Sequence, residues 1–396
     1  MTRMPDEPTP VTRPEVPLAT IAKEWGRIGC IGFGGPPTHI AMLRTLTIER
    51  KHWLDETEFE DAIAATNLLP GPASTQLAIF CAWRLRGLAG AVVGGASFIC
   101  PGLALIIVLA AIFLAGHPPR WIDGAALGAG AAVAAVAVNA ALSLVPASWR
   151  RAGDATARRV RWVVYAVAGG VSAATVGTYL VVVLLGCGLL ECAISGALRP
   201  PRGPAGFAVL FPTGVVAAGG LGALAWVALK VGALSFGGGF VIIPLMQADA
   251  VHHYHWMTNA QFLNAVALGQ ITPGPVVQTV AVVGYAAAGV GGALLAALVA
   301  FAPSFAFILG GARHFGALRT NRVAQSFLSG AGPAAIGAIA GAAIPLALAI
   351  SHVWQAVVLG AAFVVIVGLR RNVVLTLVAA GVVGAVGAVL GLPVGG

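Results

Sequence analysis

The sequence predicts an all-α polytopic membrane protein of two homologous halves. They form an inverted-topology repeat, with broken or re-entrant helices at Gly/Pro motifs. Three observations carry this. The 396 residues are 58% hydrophobic and only 9% charged, whereas soluble domains are about a quarter charged. Apolar runs of about 20 residues, the length that crosses hydrocarbon as a helix, recur along most of the chain. A shift of 203 residues aligns 28–98 with 231–301 without a gap, with 15 of 71 positions identical. Low-complexity Ala/Gly matching does not produce a repeated Phe-Gly-Gly, His-Trp and Pro-Gly-Pro in one frame.

Each element follows from local chemistry. Residues 1–17 hold five prolines, three acids and two arginines. They read as a disordered tail without a cleavable signal. The first repeat takes 18–203 and the second 204–396. In the first, a broken segment near 20–45 precedes helices expected near 59–82, 88–114, 122–146, 162–178 and 179–197. In the second, a long apolar stretch near 207–248 precedes helices near 260–286, 290–311, 323–350, 354–369 and 373–391. The opening segment of each half either crosses or enters and returns; a hairpin in both gives the cleaner inversion. The alternating pattern of a membrane β-barrel is absent. Abundant glycine (53 residues) lets helices approach closely in lipid.

Loop charges give the orientation. Arg84 and Arg86 follow the 59–82 helix, while the matching turn at 286–291 is uncharged. Arg120 is the one cation at 116–121; its counterpart 313–322 carries Arg313, Arg319 and Arg322. Arg150, Arg151, Arg158, Arg159 and Arg161 crowd 149–161, matched by 351–353 with neither Lys nor Arg. Lys and Arg collect on the cytoplasmic side. Each comparison therefore orients the halves oppositely, a common plan for secondary transporters. The same loop cations account for most of the net charge of +9, so no nucleic-acid partner is implied.

Other titratable clusters read as structural. Cys30, Cys81, Cys100, Cys187 and Cys192 form no Cys-x-x-Cys pair and read as apolar thiols. His252, His253 and His255 read as an interfacial loop, and Asp55, Glu56, Glu58, Glu60 and Asp61 as acids at a helix N-terminus. No metal site and no cofactor are indicated.

Two motifs should break helices at membrane depth. One is Gly32-Phe33-Gly34-Gly35-Pro36-Pro37, matched by Ser235-Phe236-Gly237-Gly238-Gly239. The other is Asn67-Leu68-Leu69-Pro70-Gly71-Pro72, matched by Gln270-Ile271-Thr272-Pro273-Gly274-Pro275. Proline removes a donor and glycine adds freedom. Unwound backbone at that depth is tolerated where it is buried or lines a cavity. Free N–H groups at a half-helix start suit an anion. Ser74, Thr75 and Gln76 follow the first Pro-Gly-Pro, and Gln278 and Thr279 the second. A plain kink or tight packing is the alternative for either motif alone. Their duplication at matched spacing favours a substrate site.

Arg27 and its repeat equivalent Lys230 are the candidate cations for an oxyanion, snorkelling being the alternative. Carboxylates are scarce: none follows Asp249, and only Asp123, Asp154 and Glu191 lie between Asp61 and Asp249. Cation carriers generally use intramembrane acids, so the substrate should be an anion.

Taken together, Phe33–Pro36, the Trp53 connection, Asn67–Pro72, Ser235–Gly239 and Gln270–Pro275 resemble the chromate ion transporter family in its long two-half form. The resemblance covers about residues 18–391. It implies efflux of chromate from the bacterial cytoplasm, driven by the proton motive force and conferring chromate resistance. It implies a multi-pass inner-membrane carrier in a lipid bilayer, not an enzyme. Sulfate or another oxyanion is the alternative substrate, and a cation or proton-coupled nutrient carrier the alternative class. The oligomeric state, a homodimer included, stays open.

Overall fold

The computed structural model describes residues 16–67, 69–115, 118–175, 179–197, 220–235, 240–311, 315 and 321–394. Among them every regular element is helical. The first, α1 (Leu18–Ile31), buries Ile21, Trp25 and Ile28 along one face, the stripe a helix lays on a core. The chain then turns at Gly34 (φ 102°) and Gly35 (φ 74°), a region that favours glycine. Pro36 opens α2 (Pro36–Arg44), where its fixed φ suits the first turn. A π-helical turn at Thr45–Arg50 continues it. Trp53 then stacks on Trp25 with ring centroids 6.4 Å apart. The opening segment is therefore a hairpin that enters and returns.

The next pair repeats the pattern. Helix α3 (Glu56–Thr66) starts at Asp55, whose carboxylate accepts from the Thr57 N–H. Helix α4 runs over Ala73–Phe113 with non-helical backbone at Arg86 and Gly87. Glu58 forms an ion pair with Arg84, so 73–85 runs back beside α3. The expected single helix over 59–82 is thus corrected to two arms folded at Pro70-Gly71-Pro72. The cause is local: two residues lack an N–H, and Gly71 has φ 119°. The arm 73–85 is about 20 Å long at 1.5 Å per residue, so the tip lies deep within a hydrocarbon core about 30 Å thick. Gly87 (φ 57°) reverses the chain again. A Cβ at Gly90 would meet the Ala82 carbonyl oxygen at 2.2 Å, so the crossing arm 88–113 packs directly on 73–85.

The second half repeats these elements as α9 (Leu221–Leu234), α10 (Ile243–Gln247) with a π turn at Ala248–His253, α11 (Asn259–Ile271) and α12 (Thr279–Gly311). The expected helix over 260–286 is again two arms. The two π turns, and His52 (φ 50°) and His255 (φ 53°) after them, keep the 203-residue offset. The reversal at Ala288–Gly289 matches Arg86–Gly87 at an offset of 202. The gapless alignment therefore fails beyond the Pro-Gly-Pro tip. A 3-10 turn at Val276–Gln278 explains the lost residue: it rises about 2.0 Å per residue against 1.5 Å in an α-helix, so three residues span what four otherwise would.

The halves are inverted. Phe315, beyond the end of α12, stacks on Phe80 at 5.2 Å, close to the Arg86 turn. The arm 290–311 thus ends on the side where 88–113 begins. The halves then exchange helices. The first half continues through α5 (Arg120–Ala131), α6 (Val133–Ala152), α7 (Thr156–Thr175) and α8 (Leu180–Ile194). The second continues through α13 (Arg322–Leu348), α14 (Val353–Phe363) and α15 (Val373–Val389). Helices α7 and α8 pack on α13, and α15 on α5. Glycine permits the approach: a Cβ at Gly337 would lie 1.7 Å from the Ala166 carbonyl oxygen, and one at Gly124 2.3 Å from that of Gly384.

Arg50, Lys51, Arg84, Arg86, Arg150, Arg151, Arg158, Arg159, Arg322, Arg370 and Arg371 fall at helix ends on one side, and Arg120 on the other. The cation-rich side is cytoplasmic. In a cysteine-free background, Leu88→Cys should react with an impermeant maleimide only in inside-out vesicles, and Val290→Cys only in right-side-out ones. Labelling of both from one side would overturn the inversion.

Candidate functional site

The tips of the re-entrant hairpins meet across the repeat boundary. The Gly274 N–H donates to the Gly32 carbonyl at 3.1 Å. A Cβ at Gly102 would lie 2.0 Å from the Pro273 carbonyl oxygen, and Gln278 Nε2 donates to the Ile99 carbonyl at 2.8 Å. The second-repeat tip thus rests on the first-repeat crossing arm beside Pro101. Reciprocally, a Cβ at Gly71 would lie 3.3 Å from Ser304 Oγ. The first-repeat tip rests on the second crossing arm beside Pro303. No side chain caps the start of α4 at Pro72. Its free N–H groups and dipole face this crossing.

The tips carry unusual polar chemistry. Ser74, Thr75, Gln76, Ser235, Gln278 and Ser304 are all buried. Among the described residues, Thr75 Oγ1, Gln76 Oε1, Ser235 Oγ, Ser304 Oγ and Gln270 Nε2 have no hydrogen-bond partner. Each such buried group costs about 1–3 kcal/mol, and native proteins leave few of them. Five of the eight such atoms lie at the tips, which makes the crossing the candidate site. Three are hydroxyls and one an amide NH2, able to donate to oxyanion oxygens; the fifth, Gln76 Oε1, is an acceptor.

A cavity of about 290 Å³ reaches the first tip from the cytoplasmic side. Thr66, Asn67, Leu69, Gly71 and Ala73 form one wall, Leu144, Ala147 and Arg151 of α6 another, and α13 from Leu328 to Ile339 the third. Arg151 is the one cation among the described residues that line it.

The expected residues separate into groups. Pro70, Gly71, Pro72, Ser74, Thr75, Pro273, Gly274, Pro275 and Gln278 come together at the crossing, with Ser235 and Gln270 at the adjoining tips. Asn67 caps α3 and lines the cavity. Gly34 and Gly35 make the first turn; Gly237 and Gly238 lie outside the described residues. Thr272 gives its hydroxyl hydrogen to Leu268 of its own helix at 2.6 Å. Arg27 lines a separate groove between α1 and α2 with Glu24, Thr38, Thr45 and Arg50. Lys230 donates to Asp249 at 2.6 Å, both largely buried, so its charge is already compensated. Sequence reasoning missed His39, Gly102, Arg151 and Ser304. Only His39 left a signal, a histidine one turn past a Gly-Gly-Pro-Pro break in an apolar segment.

Two outcomes test these roles. Gly71→Ala forces an alanine to φ 119° and sets its Cβ 2.5 Å from Gln76 Nε2. It should cost about 1–3 kcal/mol, read as a lowered Tm in detergent. Lys230→Met should cost about 3–5 kcal/mol by stranding a buried carboxylate. Adding Asp249→Leu should recover most of that, and a double variant as unstable as the single would refute a structural pair.

A family model described as "Chromate transporter" matches residues 19–192 and 222–385. A chromate transport protein of Cupriavidus metallidurans is 31% identical over 85% of this chain and 84% of its own length. A probable chromate transport protein of Synechococcus elongatus is 28% identical over 84% and 85%. A chromate transport protein of Pseudomonas aeruginosa is 28% identical over 96% and 94%. No solved structure matches the chain.

Proposed function

The chain belongs to the chromate transporter family, and on that premise we propose that it exports chromate from the cytoplasm through the crossing of its hairpin tips. The observation that carries this reading is the set of unpartnered buried donors at the tips: Thr75, Ser235, Ser304 and Gln270. Hydrogen bonds to a charged group contribute about 1.5–3 kcal/mol each, enough to offset the cost of keeping these groups dry. The acids present are paired or peripheral: Asp249 with Lys230, Glu191 with Arg161, and Glu58 with Arg84. That leaves the crossing attractive to an anion.

Access and energetics support the outward direction. The cavity at Asn67 and Gly71 opens toward the cytoplasmic ends of α6 and α13, where Arg151 would draw an anion in. Moving one charge through the membrane potential is worth about 2.3 kcal/mol per 100 mV. A dianion leaving a negative interior gains about twice that, so the proton motive force supports export and chromate resistance. Sulfate has the same shape and charge and is the natural competitor.

Inside-out vesicles carrying the protein should accumulate labelled chromate when energised, and cells carrying the gene should hold less chromium. Absence of chromate and sulfate uptake above empty vesicles would sink the reading. Arg151→Gln should raise KM for chromate about tenfold, the scale of electrostatic focusing at a charged mouth, with kcat little changed. An unchanged KM would remove Arg151 from the entry path.

A further inference from the structure

We propose that His39 ties anion occupancy to the uptake of one proton, with Ser74 as the relay. This rests on the crossing being the anion site. His39 is completely buried, its ring edge-on to Phe98 at 5.0 Å. Its Nε2 lies 2.8 Å from the Gly32 carbonyl oxygen. A carbonyl can only accept, so Nε2 carries a hydrogen. In the neutral ring Nδ1 is then bare. Ser74 Oγ, 3.3 Å away, must donate its hydrogen to it. The Gly32 carbonyl also accepts from Gly274, so both its lone pairs are engaged, and the ring cannot turn over without losing its own bond to Gly32.

In this state Ser74 offers the crossing a lone pair and no hydrogen. One added proton reverses that. Ser74 passes its hydrogen to Nδ1 and takes one from a hydronium ion in the cavity, which leaves as water. The new Nδ1–H donates to Ser74 Oγ, and the Ser74 O–H is free to point at the crossing. Two O–H bonds break, those of Ser74 and of hydronium, one N–H and one O–H bond form, and the protein gains one proton. The crossing acquires a donor beside Thr75 and a positive charge behind it. No charged or other titratable side chain among the described residues acts on the ring from its own hairpin, from α1, or from α4, where Ser74 and Phe98 are its neighbours. A lone buried imidazolium is costly, so the anion is its counter-charge. By reciprocity, proton and anion each favour binding of the other. A dianion leaving with one proton still carries negative charge outward, so the membrane potential continues to drive the cycle.

Equilibrium exchange of chromate in proteoliposomes, above the pH at which chromate is fully ionised, tests this. For the unaltered protein, KM should rise about tenfold per pH unit, the linkage of a single proton. For His39→Gln it should not change with pH. Chromate binding in weak buffer should take up about one proton per site with the unaltered protein and none with His39→Gln. Ser74→Ala leaves the ring in place and gives a second arm: proton uptake persists while KM rises severalfold. A flat profile in the unaltered protein would overturn the proposal. So would an unaltered slope in His39→Gln, or an unaltered KM in Ser74→Ala. Exchange that proceeds with a flat profile overturns this inference alone; no exchange by the unaltered protein overturns the transport reading with it.

Discussion

Hydrocarbon contains nothing for a backbone N–H or C=O to bind, so a chain that reverses at mid-depth must have its turn satisfied by protein. The structure meets this constraint by setting the tips against one another. Gly32 O takes hydrogens from Gly274 and His39, Pro70 O takes one from Gln76, and Ile99 O takes one from Gln278. Two of these contacts join the halves. The glycines at 71, 102 and 274 follow from the same demand, because backbone must approach backbone or amide more closely than a Cβ allows.

The repeat is close but not exact in its charges. Lys230 sits where Arg27 does, yet only Lys230 has a buried acid, because Asp249 stands where the first repeat has Leu46. Arg27 instead faces an open groove with Glu24 and Arg50. Around the tips the cytoplasmic approach carries Asn67 and Arg151. A cavity beside α11, between α5 and α15, is lined almost wholly by apolar side chains, with Asn264 among them. An inverted repeat with identical halves would present the same entrance to both sides; this one does not.

The helical class, the duplication, its inversion and the two motifs were legible because they depend on composition, spacing and loop charge. The crossing at 59–82 was misread because a run long enough to span a membrane is equally long enough for two half-helices, and length does not tell them apart. The Glu58–Arg84 pair, between residues 26 positions apart in number, reveals the fold-back. The one-residue slip past Pro275 is invisible in an Ala/Val-rich stretch that matches itself in many frames. Lys230 looked available because Asp249 lies beyond a turn. His39 and Ser304 gained their roles from contacts to Ser74 and Gly71, which no local pattern encodes.

The exchange of helices bears on how the chain is made. Among the described residues the small-residue faces of α7 and α8 pack chiefly on α13, and α8 ends at Ile194 whereas α13 starts at Arg322. At about 5–20 residues per second, the first half waits on the order of ten seconds with Gly169, Gly170 and Gly188 turned toward lipid or the insertion machinery. The first half therefore completes its packing only once the second has been made.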